Sequence, residues 1–385
     1  MDRGGVLAYL LSKCQFDANQ SEDGKATQDP IRKAGPEQSD AACGSEEIAV
    51  LEGRETINPS ALYEKLAPLD HERYTAGLCE RYAGQIARIL RLKRERRAIV
   101  LAHNYQRPEI FEVADFIGDS FELARKAREV RDADVIVFCG VHFMAETAKV
   151  FNPERSVLLP DMRAGCSLAD SVTAEALAER AGELRKIYPD LKVVSYVNCT
   201  ADVKALSDSC CTSANAVKVV NAIDSGNILF VPDQNLANYV QAHTSKRIIS
   251  WDGNCYVHHQ ITPDEVEKAR AAVPGLVVIA HPECRKDVIA MADAVLSTSA
   301  MMRYAKESPA DKFLIVTECG LSDRLLLEVP NKHFYKACKL CRYMKMITLD
   351  GVADSLEHLR YEIELEPEVR AGARRALERM LELGA

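Results

Sequence analysis

Three cysteines recur along the chain at nearly equal intervals: Cys166 in DMRAGCSLADS, Cys255 in WDGNCYVHH and Cys341 in KACKLCRYMKM, 89 and 86 residues apart (255 − 166 and 341 − 255). Thiolates from segments so far apart hold one metal centre only if the fold carries the segments to a common point. Three thiolates with no obvious fourth partner suit a 4Fe–4S cluster, one per chain, whose remaining iron stays open and acts as a Lewis acid. A Cys3His zinc site with His258 or His259 as fourth ligand is the alternative that ligand count leaves open. Cys338, three residues before Cys341, reads as a bystander or as a redox partner able to bond to Cys341 when the metal is lost. The other cysteines, including Cys139, Cys199, Cys210, Cys211, Cys284 and Cys319, sit in or beside apolar runs and read as core or pocket residues.

A second set of residues has the chemistry of proton transfer. AHNY offers His103 and Tyr105, YVN offers Tyr196 and Asn198, and AHPE offers His281 and Glu283. Imidazole, phenol and carboxylate together span the acidity range needed to move protons beside a carbonyl group. A lone histidine is more often a hydrogen-bonded core residue, and that reading holds for His71, His142, His243, His333 and His358. His103 and His281 differ, because they occupy equivalent places in a repeat. Hydroxyl residues in GDS (Asp119, Ser120), CTS (Thr212, Ser213) and STS (Ser297, Thr298, Ser299) open helices, whose free N–H groups form anion sites. Three such openings in register with three cysteines suit a substrate with several negative charges.

The elements that must position these residues are βα units. From Ala98 onward short apolar runs alternate with helical stretches, as in parallel sheets. AIVLAH, DVIVFCG and SVLLP read as strands, and IFEVADF, SFELARKAREV and HFMAETAKVF as helices. The phrase then returns twice, from KVVSYVNC and from LVVIAHPE, with periods of 94 and 84 residues (from 104 to 198 to 282). One large doubly wound sheet would also alternate, but the repeat favours three pseudo-threefold-related three-layer αβα domains with parallel sheets around a central iron–sulfur site. The expected division is a mobile polar extension over 1–58 and N-terminal helices over 59–97, with Ser60 as the first cap. Repeat domains follow over 98–168, 169–257 and 258–350, then a C-terminal helical segment over 351–385.

With 385 residues, 47% of them hydrophobic, the chain can bury several cores. A net charge of −8 argues against nucleic-acid and membrane-surface partners. Thirteen irregularly spaced cysteines do not form a secreted disulfide framework. The apolar run VLAYLL near the start is too short for a signal peptide, and no run is long enough to span a bilayer. The expectation is a cytoplasmic protein.

Over residues 90–375 the chain resembles the quinolinate synthase (quinolinate synthetase A) family, which acts after L-aspartate oxidase in de novo NAD biosynthesis. The resemblance is carried by LAHNYQRPEI, GDSFELA, HFMAETAK, GCSLAD, YVN, TSANAV, PDQNLA, HPEC, STS and CRYMK, in that order. It implies a triangular three-domain α/β fold around a 4Fe–4S cluster with Cys166, Cys255 and Cys341 as ligands. Substrate-binding positions fall on His103, Ser120, Tyr196, Val197, Asn198, Ser213, His281, Pro282, Glu283 and Thr298, and Tyr105 matches a residue implicated in the chemistry. The implied reaction is a transferase-type condensation of iminoaspartate with dihydroxyacetone phosphate, giving quinolinate, phosphate and two waters. Tyr105, His103, His281 and Glu283 are the expected proton-transfer residues, and functional coupling to L-aspartate oxidase is implied. An aconitase-like hydro-lyase, an iron–sulfur redox sensor and a zinc-stabilised structural protein are the competing readings.

Overall fold

A computed structural model describes residues 57–384. Of the extension expected over 1–58, all but the last two residues lie outside the described residues. The chain enters the core through two helices, Pro59–Leu66 and Ala76–Arg96. The first is capped by Asn58, whose side chain accepts the Ser60 N–H at 2.9 Å, so Ser60 is not the cap. Pro59 at the first helical position has no N–H to leave unpaired. The second helix is capped by Thr75 and ends at Arg97 in a left-handed conformation (φ 48°), with Lys93, Arg94 and Arg96 in its last turn, where cations meet the negative end of the dipole. Its apolar stripe, with Ile86, Ile89 and Leu90 fully covered, faces the helix Leu349–His358.

Twelve strands follow: β1 Ala98–His103, β2 Phe116–Gly118, β3 Val135–Cys139, β4 Ser156–Leu158, β5 Lys192–Tyr196, β6 Ser209–Cys211, β7 Asn227–Val231, β8 Arg247–Ser250, β9 Val277–Ala280, β10 Ala294–Val295, β11 Lys312–Val316 and β12 His333–Lys336. They form three four-stranded parallel sheets, ordered β2-β1-β3-β4, β6-β5-β7-β8 and β10-β9-β11-β12. The order is the same in each, and helices lie between successive strands. The α/β fold expected from the alternation is therefore borne out. Buried on both faces, the inner strands read in sequence as apolar runs such as VIVFC in β3 and FLIV in β11, while the edge strand β8 is partly exposed.

The repeat extends to single hydrogen bonds. The register offset between the first two strands of each unit is 15 residues: Leu101 faces Phe116, Val194 faces Ser209, and Ile279 faces Ala294. An aspartate leads into each of those second strands and accepts the N–H of a valine 15 residues earlier: Asp115 from Val100 at 2.7 Å, Asp208 from Val193 at 2.8 Å, and Asp293 from Val278 at 2.8 Å. Each aspartate N–H returns a bond to the same valine carbonyl, and each carboxylate meets a cation, Lys93, Lys192 or Arg270. This clasp explains why IFEVADF, expected as a helix, is instead a single turn, Pro108–Phe111, followed by β2. Tying Asp115 to Val100 draws the chain alongside β1 after one helical turn.

The C-terminal helix Pro367–Gly384 crosses back to the second unit, packing on the helix Ala201–Ala205 and on β6. Among the described residues, no helix is long and apolar enough to cross a membrane. In all three sheets the strand order reverses between the first and third strands. Ligands of open α/β sheets bind in the crevice beyond the carboxyl ends of the strands at such a reversal. The three crevices open onto one cavity.

Candidate active site and metal centre

The carboxyl ends of β1, β5 and β9 and the loops that follow them supply His103 and Tyr105, Tyr196 and Asn198, and His281 and Glu283, all of which line this cavity. Ser120, Ser213 and Thr298 line it as well, together with Cys166, Cys255 and Cys341, one cysteine from the end of each unit. Two expected substrate-binding residues are not on its wall. Val197 is buried and faces a small apolar cavity shared with Leu123 and Phe138, and Pro282 is buried between His281 and Glu283.

The two histidines are held alike. His103 Nδ1 accepts the Tyr105 N–H at 3.1 Å and His281 Nδ1 accepts the Glu283 N–H at 3.3 Å, which turns each Nε2 towards other partners. His281 Nε2 lies 3.2 Å from the Ser213 hydroxyl. Burial, with Lys345 and Arg324 nearby, holds His103 down at about 3. Burial and the adjacent His258 do the same for His281. Both imidazoles are neutral at physiological pH.

Glu283 is the converse. Burial pushes its carboxyl up, but His258 and His281 outweigh this and hold it at about 2. His258 Nδ1 lies 2.7 Å from Glu283 Oε2, and its ring stacks on His281 with centroids 4.6 Å apart. On the other side, His258 Nε2 lies 2.8 Å from Thr317 Oγ1, which is 2.6 Å from the Tyr105 hydroxyl. The result is a buried chain of polar groups, Tyr105–Thr317–His258–Glu283. Burial, reinforced by the Glu283 charge, raises the Tyr105 phenol well above its ordinary range and keeps it protonated. Tyr196 is raised for the same two reasons.

The hydroxyl residues sit where two of the units meet. Asp119, not Ser120, caps the helix Ser120–Glu129, accepting the N–H groups of Phe121 and Glu122 at 3.0 Å each. Ser297 caps the helix Thr298–Glu307, and its hydroxyl donates to Asp119 Oδ2 at 3.1 Å, which joins the first unit to the third. Asn104 strengthens this junction by donating to Thr298 Oγ1 at 2.8 Å. Ser213 does not open a helix: Asn215 closes a turn on Thr212, and the helix starts at Ala216. Asn198 Oδ1 is buried with no hydrogen-bond partner among the described residues, so the wall holds an acceptor that a ligand N–H or O–H could satisfy.

Each cavity cysteine is backed by main-chain donors. Cys166 faces the N–H groups of Ala169 and Leu168, Cys255 that of His258, and Cys341 those of Met344 and Tyr343. Such donors stabilise thiolates that ligate a metal. Burial raises all three thiols, Cys166 to about 12, so without a cation at this place the sulfurs stay protonated. Three thiols facing one cavity, each with N–H groups in place, therefore fit a soft metal centre. His258 Nδ1 lies 2.7 Å from Glu283 Oε2 without making a hydrogen bond, its Nε2 faces Thr317, and His259 Nδ1 lies 3.3 Å from Asn235 Nδ2. His259 is not disposed as the fourth ligand of a closed zinc site, whereas His258 lies close to both Cys255 and Glu283.

Cys338 is bonded to Cys319, with Cα atoms 5.2 Å apart, and is not paired with Cys341. Cys341 is free, as are Cys166 and Cys255.

Residues that pattern reading passed over complete the site. His258 had entered only as a zinc alternative, and Thr317, Glu318 and Lys345 not at all. Lys345 Nζ donates to the Tyr105 carbonyl and, at 3.2 Å, to Glu318, which is fully buried. A Cβ on Gly320 would fall 2.6 Å from Lys345 Nζ and 2.7 Å from that carbonyl, so only glycine fits beneath the pair. The available signals were the Cys255-x-x-His258 spacing, one helical turn, and an acidic residue just beyond the third strand of two units, in VPDQ and VTEC.

Residues 87–382 match the family model described as quinolinate synthetase A protein. A quinolinate synthase of Agrobacterium fabrum is 47% identical over 331 residues, covering 86% of this chain and 93% of that one. One of Thermodesulfovibrio yellowstonii is 49% identical over 301 residues, 77% of this chain and 98% of its own. One of Dehalococcoides mccartyi is 50% identical over 298 residues, with 77% and 97% covered.

Proposed function

The chain belongs to the quinolinate synthetase A family, and from that premise we propose that it condenses iminoaspartate with dihydroxyacetone phosphate, releasing quinolinate, phosphate and two waters. Cys166, Cys255 and Cys341 would hold a 4Fe–4S cluster, which when bound supplies an electrophilic iron to substrate oxygen atoms. The observation that carries this reading is the shared cavity wall: one thiol from each unit beside His103, Tyr105, His281 and Glu283.

The chain's own residues have distinct tasks in this reading. The helix starts at Ser120 and Thr298, with Ser213, bind the phosphate and carboxylates of the two substrates, and Asn198 Oδ1 accepts from a substrate O–H or N–H. The protonated Tyr105 donates a proton and the ionised Glu283 accepts one, with Thr317 and His258 carrying charge between them. The Nε2–H groups of the neutral His103 and His281 are further donors at the cavity wall. Covering the pocket protects the imine from water. The enzyme would work in the cytoplasm, receiving its unstable imine from an enzyme that oxidises L-aspartate.

A second reading rests on one further cluster: ligand atoms of Cys255, His258 and Glu283 all lie within 4.8 Å of one another, close enough to share a single cation. Protein purified without oxygen separates the two readings. About four irons with matching sulfide per chain, and quinolinate formed from the two substrates, support the cluster reading; a single metal ion without sulfide supports the other. Cys166→Ala, Cys255→Ala and Cys341→Ala should each lose iron and turnover, whereas Cys338→Ala, which breaks only the bond to Cys319, should keep its iron. Full activity in any of the first three would remove that residue from the ligand set.

A further inference from the structure

Each cysteine loop hangs from the helix that follows the third strand of its unit. The first helical residue donates its N–H to the carbonyl two residues ahead of the cysteine: His142 to Ala164 at 2.8 Å, Gln234 to Gly253 at 2.8 Å, and Cys319 to Lys339 at 3.4 Å. In two units an acidic side chain at the cap of that helix also reaches the cysteine. Asp233 takes the Leu236 N–H at 2.6 Å with Oδ1 and the Cys255 N–H at 3.1 Å with Oδ2. Glu318 takes the Gly320 N–H at 2.6 Å with Oε2 and the Cys341 N–H at 3.0 Å with Oε1. The longer side chain stands where the gap between helix and loop is wider. In the first unit the cap position is Val141, which has no side-chain acceptor.

Both side chains are fully buried. A helix cap works equally well at a surface, where its charge stays hydrated, so capping alone does not explain the cost of burying two acidic groups. Both buried positions share one further bond, from a helix to the main chain of a cysteine in a different segment, to which Glu318 adds its ion pair with Lys345. We propose that Asp233 and Glu318 are positioning residues for the metal centre: they fix the Cys255 and Cys341 main chain so that the sulfurs are set before a cluster binds. This rests on the reading of the three cysteines as cluster ligands.

The test measures release of iron from anaerobically purified full-length protein to a ferrous chelator, followed by the loss of visible absorbance. Residues that orient metal ligands typically change metal affinity by about 10- to 100-fold. Asp233→Ala and Glu318→Ala should release iron faster than wild type by about that factor. Asp233→Asn and Glu318→Gln keep one acceptor oxygen where the carboxylate offers two, so their release should fall between that of wild type and that of the alanines. Asp115→Ala, which removes a buried carboxylate and strands a buried ammonium without touching the cavity wall, controls for general loss of stability. The proposal falls if the alanine variants release iron no faster than Asp115→Ala, or if the amide variants release it as fast as the alanines. Wild-type protein without iron would instead overturn the cluster reading, and the proposal with it.

Discussion

His258 Nδ1 and Glu283 Oε2 meet at 2.7 Å inside the cavity, although one follows β8 and the other follows β9. The contact fixes the protonation pattern: an ionised carboxylate at one end, a protonated phenol at the other, and a threonine hydroxyl relaying between them. Removing either end should disable proton transfer while leaving the cysteines untouched.

Glu283→Gln keeps the shape but cannot accept a proton. Its initial rate of quinolinate formation should fall by about 10²-fold or more, with iron content as in wild type. A rate near that of wild type would take Glu283 out of the proton-transfer path.

Tyr105→Phe removes the hydroxyl 2.6 Å from Thr317 and retains the ring that packs edge-on against His103 at 4.7 Å. Steady-state kinetics should show kcat lowered by about 10²-fold with KM little changed. A change confined to KM would mean that the phenol only binds substrate.

Asp119 links the first unit to the third. Burial, then the neighbouring Glu122, raises its carboxyl from 3.8 to about 6. A carboxyl raised in the fold binds its proton more tightly there than in the unfolded chain. Its contribution to stability is therefore complete below about pH 3.8 and lost as pH rises through about 6. Relative to Asp119→Asn, the wild type should lose on the order of 3 kcal/mol across that window. Denaturant midpoints measured at several pH values check this, and parallel curves for the two proteins would refute it.

The three strand-clasping aspartates should differ in importance. Asp115 and Lys93 have side chains only 8% exposed, while Asp208 and Lys192 are 29% and 43% exposed. Asp115→Ala strands a buried ammonium and should cost about 3–5 kcal/mol. Asp208→Ala loses a half-solvated pair and one N–H acceptor and should cost about 1–2 kcal/mol. Urea unfolding of the two variants measures the gap, and equal costs would contradict the burial argument.

Much of this architecture was legible because buried parallel strands are written as apolar runs and the repeat placed them at matching intervals. The cysteines and the His103 and His281 pair were found through that periodicity. The misreadings were local. IFEVADF has helical composition, but the Asp115–Val100 bonds impose a strand. Ser60 yields to Asn58 because the cap is set by backbone angles, which several small polar residues can adopt. Lys345 and Thr317 escaped notice for a different reason. They join Tyr105 from 240 and 212 residues away, and no spacing rule reaches that far.

The three thiols facing one cavity also set an order of events for the living cell. The last of them lies 175 residues after the first (341 − 166), so a ribosome must pass through all three units before the three can exist together. Any occupant that needs the full set must wait for that residue, and a fragment truncated just before Cys341 would carry all twelve strands yet lack the third thiol.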